Sequence, residues 1–412
     1  MFETPSKGIP VTKEMVKAAY RKVRRNHGSA GIDNESLEAF RENELDNLYK
    51  LWNRMSSGSY FPKPLRSVSI PKADGKRREL GIPAVIDRIA QQVIKDYLEP
   101  RLETEFMSTS YGYRPLKSAH DAVEAVRLHI RNYMWVLDLD IRSFFDEVDH
   151  ELLMKALERH VPEKWVQLYI RRWLESPVQH ADGTLVPKAG RGTPQGGVIS
   201  PLLANLFLHY VLDKWVSKHY PQLAFVRYAD DVVVHCRTET EAHELLESIR
   251  SRLSECKLRL NEDKTKIVYC QDYRRPKRKD YAKKFDFLGF TFKPQSIESK
   301  QGGRFLGYGC TISQQSETRI MESWRELDWL KRGLTLPEIA AEVNVQMKGI
   351  LHYYGKFGQQ RLGRIAMYIG FRLSKWAMKK YKRLRSQYRR AFRWLGMVKT
   401  SFPNLFYHRA FF

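Results

Sequence analysis

Two short apolar runs carry acids that packing alone does not favour, and they constrain this chain more than any other feature. In Trp135-Val136-Leu137-Asp138-Leu139-Asp140-Ile141 an alternating strand places two aspartates on one face. In Phe225-Val226-Arg227-Tyr228-Ala229-Asp230-Asp231-Val232-Val233-Val234 adjacent aspartates separate two apolar segments, as at the tip of a hairpin. Gathering such carboxylates in a partly dry centre is costly unless cations compensate. Hard divalent ions such as Mg²⁺ take oxygen ligands of this kind. Two ions roughly 3.5–4 Å apart can activate a hydroxyl and stabilise the leaving oxygen of an in-line displacement. The competing reading of Asp230-Asp231 is an ordinary solvated turn, and the neighbouring sequence decides between the two.

Charge points the same way. Lysine and arginine total 71 against 47 acidic residues, a net +24. Residues 343–412 hold sixteen lysines and arginines and no acid. A solvated face mixes signs, so this tail fits a polyanion partner, with counterions released at each phosphate. Nucleic acid ranks above a membrane surface because the apolar residues there have core-like spacing. No run of about eighteen apolar residues occurs, and the N-terminus MFETPSKGIP lacks a signal-peptide layout, so a soluble protein that stays where it is made is expected. Cys236, Cys256, Cys270 and Cys310 are widely spaced, which favours reduced, buried thiols over zinc or disulfides. At 412 residues, two or three packed units are expected.

Along the chain, residues 12–50 read as helices broken at residues 26–31. Arg66-Ser67-Val68-Ser69-Ile70-Pro71 alternates as a strand, and Ala73-Asp74-Gly75 signals a hairpin turn. Residues 87–97 predict a helix, residues 135–140 a strand and residues 225–236 a hairpin. Residues 201–220 predict a helix with proline in its first turn and Leu203, Leu206, Phe207, Tyr210 and Val211 as an apolar stripe. Glycines loosen the pattern over residues 294–318, which reads as a linker. Beyond it only helices are expected, one opening on the capping box Thr335-Leu336-Pro337-Glu338.

An ordered series of blocks resembles the reverse transcriptases encoded within bacterial group II introns. Ile70-Pro71-Lys72 through Arg78-Glu79-Leu80-Gly81-Ile82-Pro83 resembles their finger strands, and Ser110-Tyr111-Gly112-Tyr113-Arg114-Pro115 the block that follows. Asp140-Ile141-Arg142-Ser143-Phe144-Phe145-Asp146 is similar to the first palm block. Gly192-Thr193-Pro194-Gln195-Gly196-Gly197, with Ser200-Pro201-Leu202-Leu203-Ala204-Asn205, is similar to the second, and Tyr228-Ala229-Asp230-Asp231 to the third. Leu260-Asn261-Glu262-Asp263-Lys264-Thr265 and Phe285-Asp286-Phe287-Leu288-Gly289-Phe290 resemble the last two. Gly349-Ile350-Leu351-His352-Tyr353-Tyr354 and Trp376-Ala377-Met378-Lys379-Lys380-Tyr381 look like the family's thumb, or maturase, domain.

The resemblance implies an α+β right-hand polymerase. Fingers and a palm with an antiparallel sheet would occupy residues 1–293, and an all-α, RNA-binding thumb residues 319–412. It implies an RNA-directed DNA polymerase using two Mg²⁺ ions, with Mn²⁺ able to substitute. Asp140, Asp230, Asp231 and the Ile141 backbone would hold the ions. Asp138 lies outside the matched pattern and is taken as structural. Lys264 would protonate the departing pyrophosphate, or is a plain helix-end lysine. Arg66, Lys72 and Arg78 would clamp the triphosphate and Gln195 would line the nucleotide pocket. Phe145 would exclude a ribose 2′-hydroxyl, or is a core residue beside Phe144.

On the RNA side, Lys375, Lys379, Lys380, Lys382, Arg383 and Arg385 would contact phosphates. Interleaved Trp376, Tyr381, Tyr388, Phe392 and Trp394 either stack on bases or pack within the thumb. Implied partners are a group II intron RNA, an RNA template with DNA primer, deoxynucleoside triphosphates and target DNA. The implied setting is the bacterial cytoplasm, at the nucleoid when acting on DNA. The expected role is to assist intron splicing and copy the intron during mobility. No His-Asn-His-type endonuclease is expected, because no cysteine or histidine cluster follows the thumb. Competing readings are an RNA-binding splicing cofactor with an idle polymerase site, and a retron, diversity-generating or CRISPR-linked reverse transcriptase.

Overall fold

The computed structural model describes residues 8–71, 77–299, 302–329, 332–357 and 359–407. The chain divides into two compact units, residues 1–129 with 135–267, and residues 130–134 with 268–412. Each mixes helices with mostly antiparallel strands, the α+β class that the resemblance implies, with strands Leu65–Pro71 and Val178–Gln179 paired parallel in the first unit.

The first unit opens with helix Lys13–Arg25, where the Thr12 hydroxyl caps the first turn by accepting from the Met15 N–H at 3.2 Å. The break expected at residues 26–31 is there, with His27 at φ 47°. Helices Leu37–Glu42 and Glu44–Ser56 follow. Strands β1 (Leu65–Pro71) and β2 (Arg77–Ile82) pair antiparallel, with Arg66 opposite Ile82 and Ile70 opposite Arg78. The Ala73-Asp74-Gly75 turn lies outside the described residues. Helix Val85–Glu103 runs beyond the expected 87–97 at both ends, because Val85, Leu98 and Leu102 are also buried.

Strand β3 (Trp135–Asp140) forms as its alternation predicts. The two-residue strands β4 (Val178–Gln179) and β5 (Leu185–Val186) complete the first sheet, ordered β2-β1-β4-β5. The second sheet adds β6 (Ala224–Tyr228), β7 (Asp231–Cys236) and β8 (Lys266–Tyr269), in the order β6-β7-β3-β8. Val136, Leu137, Leu139, Val232, Val233 and Val234 are buried, so this sheet is covered on both faces. The apolar helix expected at 201–220 runs from Ser200 to His219, but its stretch His209–Asp213 is π-helical.

In the second unit β9 (Phe285–Phe287), β10 (Phe290–Glu298) and β11 (Arg304–Ile312) form an antiparallel sheet ordered β11-β10-β9. This corrects the linker expected at 294–318: the described residues there complete the β10–β11 pairing and begin helix Gln314–Glu326. Glycine misled there, because Gly307 and Gly309 face Gln295 and Ile297, whose side chains occupy the space a Cβ would need. Helices Leu336–Tyr354, Gln359–Lys380 and Tyr388–Ser401 follow. The capping box forms, with the Glu338 carboxylate accepting from the Thr335 N–H at 2.7 Å. All four cysteines are buried free thiols. Among the described residues no helix is long and apolar enough to cross a membrane.

Candidate active site

Strand pairing brings the acids together. β3 and β7 run antiparallel with Asp140 directly opposite Asp231, and Asp138 opposite Val233. β6 and β7 close on the two-residue turn Ala229-Asp230, since Tyr228 pairs with Asp231. Asp140, Asp230 and Asp231 therefore share one end of the sheet. Burial raises the Asp230 carboxyl, with the Asp140 charge adding to it and Arg78 opposing it. Asp231 reaches solvent but sits in a recess where surrounding protein displaces much of its water. That desolvation, then the charges of Asp230 and Asp140, push it up to about 7 against the pull of Lys264.

This is clustered negative charge that Arg78 and Lys264 offset only in part, the electrostatic environment a divalent cation fits. Among the described residues no group of three acidic, histidine or cysteine side chains closes tightly enough to hold an ion alone. An open donor set suits Mg²⁺, which usually keeps waters and substrate phosphates in its shell. Asp138 stands apart, with Lys266 Nζ at 3.9 Å.

The Leu260–Thr265 block folds against β3. Asn261 N–H donates to the Asp140 carbonyl at 2.8 Å and Arg142 N–H to the Arg259 carbonyl at 2.9 Å. The bridge between Ile141 and Leu260 runs through these neighbours, which keeps the Ile141 carbonyl out of it. Lys264 is exposed, with its charge felt at Asp231.

Beside the acids a pocket of about 180 Å³ is lined by Arg78, Leu80, Tyr113, Phe145, Gln195 and the Gly196-Gly197 loop, among others. Three of the expected nucleotide residues thus meet. Arg78 Nε donates to Gln195 Oε1 across from β2. Gln195 is fixed by its own carbonyl, which accepts from Gly81 N–H at 3.1 Å, and a Cβ on Gly196 would come 2.8 Å from the Gly81 oxygen. Phe145 is 8% exposed and packs edge-on to Phe144 at 5.2 Å, so it is both core and pocket wall. Arg66 shares Arg78's face of the hairpin but lies four pairs away, roughly 13 Å along the strands, and does not line the pocket. Lys72 lies outside the described residues.

Sequence reasoning gave no role to Tyr113, Asn205, Asp213 or Arg227. Tyr113 is half-exposed at φ 56° and lines the pocket; burial raises its phenol, as do the nearby Asp230 charge and others. Its place inside the Ser110–Pro115 block was the available signal.

In the tail, Lys375, Lys379, Lys380, Lys382, Arg383 and Arg385 are exposed, and Lys380 Nζ donates to the Gly333 carbonyl at 2.8 Å. The aromatics divide. Trp376 is buried against Tyr381, which also meets Trp394 at 5.1 Å. Phe371, Tyr388 and Phe392 stay exposed in one row with centroids 5.9 and 6.3 Å apart, and Lys375 Nζ lies 4.4 Å over Phe371.

Carboxylates opposed across an antiparallel sheet beside a pocket lined by Arg78 suit a class: nucleotidyl-transferring polymerases that work with divalent ions. The particular family follows from sequence comparison. Residues 70–292 match the family described as reverse transcriptase (RNA-dependent DNA polymerase), and residues 319–394 match the group II intron maturase-specific domain. The chain belongs to the reverse transcriptase family, in its group II intron maturase branch.

Protein YkfC of Escherichia coli K12 is 35% identical over 283 residues, 60% of this chain and 73% of that one. Group II intron-encoded protein LtrA of Lactococcus lactis subsp. cremoris is 32% identical over 201 residues, 48% of this chain and 33% of that protein. Nuclear intron maturase 1 of Arabidopsis thaliana mitochondria is 27% identical over 122 residues, 28% of this chain and 17% of that one. The chain thus spans about a third of LtrA's length.

Proposed function

We propose that this chain copies RNA into DNA at the Asp140, Asp230 and Asp231 centre, and that it binds a structured group II intron RNA, assists its splicing and copies it during mobility. One observation carries the reading: like charges are opposed at Asp140 and Asp231 next to a single pocket holding Arg78, Phe145 and Gln195.

In this reading the β1–β2 hairpin and the helices before it are fingers, and the β6-β7-β3 sheet is the palm. Functionally the chain divides into residues 1–293 and a thumb at 319–412, a division that the two matched segments support. Asp140, Asp231, Asp230 and the Ile141 carbonyl would hold the divalent ions, Mg²⁺ or Mn²⁺, which when bound would supply activation of the primer hydroxyl and charge neutralisation at the phosphates. Arg78, with Lys72, draws in the triphosphate, and Gln195 lines its pocket. Phe145 closes the space a ribose 2′-hydroxyl would need, which favours deoxynucleotides. Lys264 delivers a proton to the departing pyrophosphate. The acid-free tail follows RNA phosphates, and its exposed aromatic row offers faces for unpaired bases. Template RNA, DNA primer, deoxynucleoside triphosphates and target DNA are the partners, in the cytoplasm and at the nucleoid.

The test is one variant. Asp230→Ala abolishes deoxynucleotide incorporation on a primed RNA template and leaves intron splicing largely intact. Primer extension at the wild-type rate would show that the site is elsewhere. A wild type that promotes splicing but incorporates no deoxynucleotide would favour the cofactor with an idle polymerase centre.

A further inference from the structure

Behind the acidic hairpin lies a buried polar chain for which the polymerisation chemistry has no direct use. Arg227 is fully buried, and its Nε and Nη2 donate to the two oxygens of Asp213 at 2.7 and 2.6 Å. Asp213 is equally buried. The third guanidinium nitrogen donates to Asn205 Oδ1 at 2.9 Å and to the Ala229 carbonyl at 3.0 Å. The Asn205 amide in turn donates to the Gly112 carbonyl at 2.7 Å. Gly112 lies against the hairpin turn, where an added Cβ would collide with the Ala229 nitrogen. Backbone bonds tie the same segments, with Arg227 N–H to the Thr109 carbonyl at 2.9 Å and Tyr111 N–H to the Arg227 carbonyl at 2.8 Å. Every guanidinium nitrogen is engaged, and the chain ends at the residue preceding Asp230.

Three features say that this pair does more than fill space. A buried ion pair often stabilises no better than an apolar pair of equal volume, so stability alone does not explain it. Asp213 closes the π-helical stretch His209–Asp213, and π-segments inside helices are rare and cluster at functional sites. Ala229 sits at φ 56°, a left-handed conformation that costs an L-residue energy and persists only when its surroundings hold it. The bond from Arg227 to the Ala229 carbonyl is such a restraint.

We propose that Arg227 and Asp213, with Asn205, are positioning residues: they fix the strained Ala229-Asp230 turn and so set Asp230 and Asp231 against Asp140 at the spacing divalent ions require. The inference rests on reading the hairpin as the polymerase centre. None of the three residues touches substrate; they act through the turn.

The test compares the full-length wild type with the charge-free pair Arg227→Met/Asp213→Leu, the conservative Arg227→Lys, and Gly112→Ala, which pushes the turn from its other side. Each is measured for thermal stability, for kcat and KM of deoxynucleotide incorporation on a primed RNA template, and for Mn²⁺ binding by titration without substrate. The charge-free pair folds, its kcat falls about 10- to 100-fold with KM nearly unchanged, and Mn²⁺ binding weakens by a similar factor. Arg227→Lys keeps part of both, and Gly112→Ala reproduces the loss with the ion pair intact. A folded charge-free pair with wild-type kcat and Mn²⁺ affinity overturns the inference. So does a set in which every variant is either unfolded or fully active. Incorporation that survives Asp230→Ala removes the site and the inference with it. Incorporation lost in Asp230→Ala but intact in the charge-free pair overturns the inference alone.

Discussion

Asp140 and Asp231 stand directly opposite each other across the antiparallel pair β3–β7, two carboxylates where a sheet ordinarily places complementary side chains. Like charges so placed repel by about 0.2–1 kcal/mol. Asp231→Asn therefore stabilises the metal-free protein slightly while lowering polymerisation by roughly 10²–10³-fold or more, as when a group that stabilises transition-state charge is removed. Thermal melts in a chelator and single-turnover incorporation check the two halves. A variant that is less stable and still active contradicts the account.

Phe145 is wedged between Phe144 and the nucleotide pocket, so shortening it opens space where the sugar's 2′ edge would lie. Phe145→Val lowers the preference for deoxynucleotides over ribonucleotides by about 10- to 200-fold, the range for a pocket wall that loses a few carbons. The ratio of kcat/KM for the two substrates is the measurement. An unchanged ratio would leave Phe145 as core alone.

His209 lies fully buried beside Phe106 and Tyr210, with no hydrogen-bond partner at either ring nitrogen and Asp213 Oδ2 at 3.9 Å from Nδ1. Burial holds it neutral, down to about 4 from the ordinary 6.5. A lowered histidine pKa means that the unfolded chain takes up a proton first. The stability is thus complete above pH 6.5 and is lost as pH falls towards 4, by about 3 kcal/mol in all. His209→Leu shrinks the drop in melting temperature between pH 7.5 and 4.5, while buried His235, also held neutral by burial, keeps some acid sensitivity. An identical drop in the variant contradicts this assignment.

The exposed tail cations predict salt-dependent RNA binding. Neutralising Lys379, Lys382 and Arg383 together flattens the log–log salt dependence by about 0.7 per lost single-stranded phosphate contact. Lys380, already bonded to the Gly333 carbonyl, contributes less. Tyr388→Ala with Phe392→Ala weakens binding to unpaired RNA without changing that slope, since stacking releases no counterions. Equal slopes before and after neutralisation would take the tail out of the interface.

The acids and the strands that bear them were readable in sequence because a two-residue period and two charged interruptions leave little choice of register. Arg78, Phe145 and Gln195 were readable only through the order of their blocks, since nothing local brings β2, residues 144–147 and the Pro194–Gly197 loop to one pocket. The Arg227–Asp213 pair was hidden. Arg227 looks like one more strand residue, and a helical pattern does not announce the π-turn that ends at Asp213. Glycine was ambiguous: it broke a helix near residue 28, as expected, but allowed tight cross-strand packing at 307 and 309, where a linker was expected. The second compact unit begins at residue 268 rather than near 294.

The central claim is that divalent cations relieve the repulsion among Asp140, Asp230 and Asp231. A crystal structure with a primer, an RNA template, an incoming deoxynucleotide and Mn²⁺, read by anomalous scattering, tests it most directly. The expected result is manganese peaks at Asp140, Asp230 and Asp231 beside the primer end. Those three side chains turned apart, with manganese elsewhere or absent, would contradict it.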